Sequence, residues 1–140
     1  MVSGWALAKS MILVDTHVVL WLALEPARIS RQATAAIEEA RDGGHGLAIS
    51  DITLLEIATA EGKGRITLNS SLESFLSEIE ARFVVLPITG KVCVRAMALP
   101  ANYPKDPADR IIAATAIVQG LRLVTADDAI RRSKALPTIW

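Results

Sequence analysis

A three-layer α/β/α fold on a mostly parallel central sheet is what this sequence predicts, and three observations lead there. Short aliphatic runs alternate with longer stretches of helical period from Met11 to the end of the chain. Several of those runs stop on, or just before, a residue suited to cap the next helix, at Asp15, at Ser50 or Asp51, and at Thr89. The composition is 51% hydrophobic but only 4% aromatic, so Ala, Leu, Ile and Val must fill the core. Strands alternating with helices imply a sheet covered on both faces. At 140 residues the chain is long enough for one domain with a substantial interior.

Residues 1–10, MVSGWALAKS, stand outside that pattern and are expected to be an upstream extension or a loose arm, leaving 11–140 as the domain. Met11–Val14 reads as a buried first strand closed by Asp15, and Thr16 to Leu22 as the helix that follows. Taken alone, Asp15 is first a helix cap. His17, one position into that helix with no second histidine nearby, is expected to pack or hydrogen-bond rather than ligate. Pro26 breaks the helix, and Ser30 caps another through Ala33, Ile37 and Ala40 to Gly43.

Gly46–Ile49 is the second strand, and Ser50 or Asp51 caps a helix from Ile52 to Gly62. Glu56 is its informative residue. Three and four positions away stand Ile52, Thr53, Thr59 and Ala60, so the helix offers no basic partner. Its stripe with Ile52 and Ala60 is expected to face inward, where an unpaired charge costs on the order of 3–5 kcal/mol. Either the stripe sits at the solvent boundary, or the carboxylate meets a cation such as a metal ion.

Asn69 or Ser70 opens a helix through Leu72, Phe75 and Ile79, and Phe83–Pro87 is a third strand. Thr89 then caps a helix whose apolar face includes Val92, Cys93, Ala96 and Leu99; Cys93 is read there as inert packing. Asp106 and Pro107 start the next helix, with Asp109 in its first turn and Gly120 as its stop. Asp106 is read as the cap rather than a ligand. Leu121–Val124 forms a buried strand ending in Thr125-Ala126-Asp127-Asp128. A short basic helix at Arg131–Lys134 and an edge strand within Leu136–Trp140 complete the chain.

Several function classes are excluded. No run approaches the roughly 18 apolar residues of a membrane span, so no membrane partner is expected. Cys93 is the only cysteine, which rules out an internal disulfide and zinc-finger metal sites and points to a reducing, cytoplasmic setting. Phosphate-binding glycine motifs are absent. Fifteen acids balance fifteen bases, so broad electrostatic capture of nucleic acid is not indicated.

In a parallel sheet, strand carboxyl ends gather at one edge. Asp15, Glu56, Asp109 and Asp127 can therefore meet there, four acids without an evident base. Such crowding raises each carboxyl's pKa, and a hard divalent cation relieves it. Mg²⁺ or Mn²⁺ on carboxylates suits phosphodiester hydrolysis, which then needs no Ser, Cys or His nucleophile.

Four blocks, ILVDTHVVLW at 12–21, ISDITLLEIA at 49–58, KDPADRIIAATAI at 105–117 and LRLVTADDAI at 121–130, resemble those of PIN-domain ribonucleases, most closely VapC-type toxins of toxin–antitoxin pairs. The resemblance covers residue 11 to the end. It implies a PIN-like fold and a Mg²⁺-dependent endoribonuclease, with Mn²⁺ as a substitute, acting on RNA, restrained by a cognate antitoxin and homodimeric. The family's acids fall on Asp15, Glu56, Asp109 and Asp127, and its accompanying threonines on Thr16 and Thr125. Asp127 is preferred over Asp128 because it follows Thr-Ala as the family pattern does. The competing reading is a catalytically silent PIN-fold module that binds RNA or protein. Receiver-like and dehalogenase-like phosphotransfer domains fail on their motifs, since Asp15-Thr16-His17 offers neither an acid pair nor Asp-x-Asp.

Overall fold

Five strands, β1 (Ile12–Val14), β2 (Leu47–Ser50), β3 (Val84–Leu86), β4 (Leu123–Val124) and β5 (Thr138–Ile139), form one sheet in the order β3-β2-β1-β4-β5. The coordinates are a computed structural model in which residues 11–140 are described; the expectation for residues 1–10 lies outside the described residues. Every pairing is parallel, with Leu13 opposite both Ala48 and Leu123. The seven α-helices among the described residues are α1 (Thr16–Leu24), α2 (Arg31–Asp42), α3 (Asp51–Gly62), α4 (Leu72–Arg82), α5 (Gly90–Met97), α6 (Pro107–Gln119) and α7 (Asp128–Ser133).

The two faces of the sheet bury alternate residues, as the period of two requires. Ile12, Val14, Ile49 and Val124 pack on one side with Val18 and Val19 of α1, Ile37 of α2, Ile57 of α3 and Ile79 of α4. Leu13, Ala48 and Leu123 pack on the other with Ile112, Ala113 and Ala116 of α6 and Ile130 of α7. Helix α5 lies outside α6, joined through Val92, Ala96 and Ala114. Ile37 is 1% exposed; truncating such a side chain to alanine costs about 2–5 kcal/mol.

Caps set most helix boundaries. Ser30, Thr89 and Asp106 accept from the backbone N–H groups of Ala33, Val92 and Ala108. Gly120 ends α6 at φ 69°, a left-handed conformation that a side chain disfavours. The expected cap of α4 at Asn69 or Ser70 moves to Ser71, whose hydroxyl accepts from Ser74 N–H at 3.1 Å. The reason is local: several adjacent residues are able to cap, and packing of Leu72 and Phe75 against the core selects among them. Cys93 is exposed, contrary to its expected packing role. Val92, Ala96 and Leu99 turn inward at helical spacing, which rotates Cys93 and Val94 outward.

From β1 the chain steps through β2 to β3 on one side, then crosses back to β4 and β5 on the other. The direction reverses between β1 and β4. A crevice opens at such a reversal, outside the strand carboxyl ends. Asp15 and Thr125 stand there, each directly after its strand.

Candidate functional site

Asp15 is held at the β1–α1 junction by contacts to both carboxylate oxygens. Its Oδ1 accepts from Thr16 N–H at 2.9 Å, and its Oδ2 accepts from Thr125 Oγ1 at 2.8 Å. The side chain that caps α1 is thus also tied to the turn after β4, and it is only 3% exposed. Burial raises its pKa; His17, Thr125 and Thr16 oppose that rise and Asp127 adds to it.

Glu56 sits on the α3 turn facing α1. Its Oε1 accepts from Thr16 Oγ1 at 2.5 Å, and the same hydroxyl lies 2.9 Å from Thr53 Oγ1. Because Thr16 spends its proton on the carboxylate, Thr53 is the donor to Thr16. Thr53 and Ile57 are the fully buried positions of α3, so Glu56 flanks the inward stripe and is half-buried. Burial raises its pKa, the Thr16 bond lowers it, and Asp15 and Asp106 raise it further.

Asp109 lies in the first turn of α6, where Asp106 caps the helix by accepting from Ala108 N–H at 2.9 Å and Asp109 N–H at 3.3 Å. Tyr103, 2% exposed, donates its hydroxyl to the Asp109 carbonyl at 3.2 Å. Burial pushes the Asp109 carboxyl up to about 7, and Asp15, Asp106, Glu56 and Asp127 all push the same way. Burial, with Asp15, Asp109 and Asp127, holds the Tyr103 hydroxyl above its ordinary range, and Arg110 opposes that rise.

Asp127 caps α7 by accepting from Ile130 N–H at 2.9 Å, and its own N–H donates to Thr125 Oγ1 at 3.1 Å. Asp128 points to solvent and pairs with Arg131 at 3.2 Å. The two adjacent aspartates thus separate, one toward the crevice turn and one away.

Asp109 lies within electrostatic reach of Asp15, Glu56 and Asp127, and Asp15 acts on Glu56 while Asp127 acts on Asp15. None takes part in the Arg–carboxylate pairs at Arg28–Glu25, Arg41–Asp42, Arg82–Glu78 or Arg131–Asp128. Arg110 donates to the Ala96 carbonyl at 3.1 Å, a tether between α5 and α6. Among the described residues no three His, Cys, Asp or Glu side chains are grouped so as to hold a metal ion between them. Asp15 is held by the Thr16 N–H and the Thr125 hydroxyl, and Asp127 by the Ile130 N–H. The donor set still fits Mg²⁺ or Mn²⁺. It is all carboxylate oxygen, and Mg²⁺ usually takes one or two carboxylates and keeps several waters.

Thr53 and Tyr103 have parts in the site that the sequence did not reveal. Thr53 stands three residues before Glu56, on the same helix face, and that spacing was the available signal. Nothing in the sequence pointed from Tyr103 to the Asp109 carbonyl.

The PIN domain family profile matches residues 12–136. Ribonuclease VapC22 of Mycobacterium tuberculosis is 40% identical over 131 residues, covering 92% of this chain and 98% of that protein. A toxin–antitoxin complex from Klebsiella pneumoniae is similar in structure at TM-score 0.57 and 25% identity, covering 83% of this chain and 86% of that one. DNA-bound VapBC from Salmonella typhimurium gives a TM-score of 0.70 at 18% identity, covering 92% and 96%; at that identity it speaks for the fold alone.

Proposed function

The chain belongs to the PIN domain family, and from that premise we propose that it is a metal-dependent endoribonuclease, the toxin of a toxin–antitoxin pair. Its metal site comprises Asp15, Glu56, Asp109 and Asp127, taking Mg²⁺ or, in its place, Mn²⁺. The observation that carries this reading is the Asp109 carboxyl, held near neutrality by burial and by its acidic neighbours. Such crowding is tolerable when a doubly charged ion joins it. Likeness to a protein named as a ribonuclease supports RNA as the substrate.

Held by Asp15, Glu56, Asp109 and Asp127, a divalent cation would supply water activation and charge compensation for the scissile phosphate. The chain's own residues orient the carboxylates for that role. Thr125 and the Thr16 N–H fix Asp15; the Thr16 hydroxyl, backed by Thr53, fixes Glu56. Asp109 would have to be ionised to hold such an ion, so metal binding there would be favoured above about pH 7.

Partners follow from the same reading: RNA, a cognate antitoxin whose segment covers the acidic crevice, and a second copy of the chain. No helix among the described residues is long and apolar enough to cross a membrane. A cytoplasmic location is part of the proposal, in keeping with the free thiol of Cys93.

The test is cleavage of structured RNA with Mg²⁺, with EDTA, and by the Asp15→Asn and Asp109→Asn variants. Activity is expected only for wild type with metal. Equal activity in all four conditions sinks the proposal. The silent-module reading has one observation in its favour, the open spacing of the carboxylates. It is distinguished by Mn²⁺ calorimetry, since a mere binder shows no heat that depends on Asp15 or Asp109.

A further inference from the structure

His17 makes a contact that the metal chemistry does not use. Its Nε2 lies 3.0 Å from the Ala126 N–H, which donates to it. A backbone N–H can only donate, so Nε2 is the accepting nitrogen and Nδ1 is left to face the other way. That Nδ1 faces Asp15 Oδ2 at 3.6 Å. The ring stands edge-on to Trp21, with centroids 5.1 Å apart and planes at 66°. Trp21 is itself fixed, with the Arg28 guanidinium 4.3 Å above it and Trp140 tilted against it at 5.8 Å. The imidazole orientation is thus set from behind.

Two successive residues of the turn after β4 are gripped from the β1–α1 junction. Asp15 takes the Thr125 hydroxyl, and His17 takes the Ala126 N–H. Asp127 comes next. We propose that His17 is a positioning residue: by accepting from Ala126 N–H it fixes the peptide that aims Asp127 into the crevice beside Asp15. The inference rests on the nuclease reading for its consequence and on hydrogen-bond geometry for its content.

Glutamine and asparagine separate this role from simple packing. The Oε1 of glutamine reaches about where Nε2 stands and accepts; asparagine, one carbon shorter, does not reach. Three readouts on the full chain decide the matter: Ala126 amide hydrogen exchange without metal, Mn²⁺ affinity by calorimetry, and kcat and KM for RNA. For His17→Asn, Ala126 protection should be lost. Mn²⁺ affinity and kcat should fall by about tenfold or more, the usual cost of removing a group that orients a ligand. KM should hold. His17→Gln should keep all three near wild type.

A folded His17→Asn with wild-type kcat and Mn²⁺ affinity overturns the proposal. So does a His17→Gln as impaired as His17→Asn, because then the ring itself is what matters. If His17→Asn does not fold, the glutamine variant alone decides by the same criterion. If wild type neither cleaves RNA nor binds Mn²⁺, the nuclease reading has failed separately. In that case an unprotected Ala126 amide in wild type, or one equally protected in both variants, refutes the clamp as well.

Discussion

The hydroxyl of Thr125 donates to Asp15 Oδ2 across 2.8 Å, joining residues 110 positions apart at the seam between β1 and β4. Asp15 is almost wholly buried, so this bond is one of the few that stabilise its charge. Thr125→Val keeps the shape and deletes the donor. The expected loss is on the order of 1–3 kcal/mol. It should be larger at high pH than at low pH, because the bond favours the ionised carboxylate. Thr125→Ser should recover most of it. Thermal melts of the three proteins at high and at low pH check this, and an equal loss at both contradicts it.

Asp109 predicts a pH dependence of stability. Its folded pKa of about 7 lies above the ordinary value of 3.8. Between those values the folded protein holds a proton that the unfolded chain has lost. Stability without metal should therefore fall as pH rises from about 4 to about 7 and then level off. Asp109→Asn should flatten that slope. At pH 8 it should be more stable by on the order of 1 kcal/mol, a figure discounted for the half-exposed carboxyl. A variant several degrees less stable than wild type makes Asp109 a structural residue instead.

Divalent metal should reverse that ranking. Mg²⁺ or Mn²⁺ at a hundredfold excess over its dissociation constant should stabilise wild type by about 2.7 kcal/mol. Asp15→Asn and Asp109→Asn should gain far less. Melting curves with and without EDTA measure the difference; identical gains in all three place the ion elsewhere.

The Thr53–Thr16–Glu56 chain predicts a kinetic signature. Thr16→Val removes the one hydroxyl donor to Glu56 Oε1 and so lets its pKa climb further. The acid limb of the rate profile should move to higher pH, and kcat at pH 7 should drop by about tenfold or more. Thr16→Ser should sit near wild type. An unmoved acid limb in Thr16→Val means that Glu56 does not need this bond.

Exposure of Cys93 makes a simpler prediction. A thiol reagent should modify it in the native protein as fast as in denaturant, and Cys93→Ser should leave Tm unchanged. A protected thiol would mean that α5 is covered in solution.

How much of this was legible in the sequence depends on whether an interaction is local. Ser30, Thr89, Asp106 and Gly120 act within their own helix ends, and each sits where its residue type predicts. The parallel sheet was legible for a similar reason, since strand and helix periods alternate along the chain. Helix rotation was not. Cys93 and Glu56 both lie near the edge of an apolar stripe, and packing against neighbours decided which way each turned. The bonding partners of Thr53 and His17 come from distant segments, and Tyr103 reaches the Asp109 carbonyl from a turn outside the helix, contacts that no helical or strand period encodes.

The strand order carries a consequence for synthesis. Because β4 lies beside β1 and both precede β5 at that edge, a nascent chain released only as far as α6 already displays Asp15, Glu56 and Asp109. It still lacks the neighbour that supplies the Thr125 hydroxyl. The seam at Asp15 therefore closes only after the segment that carries Thr125 has been added.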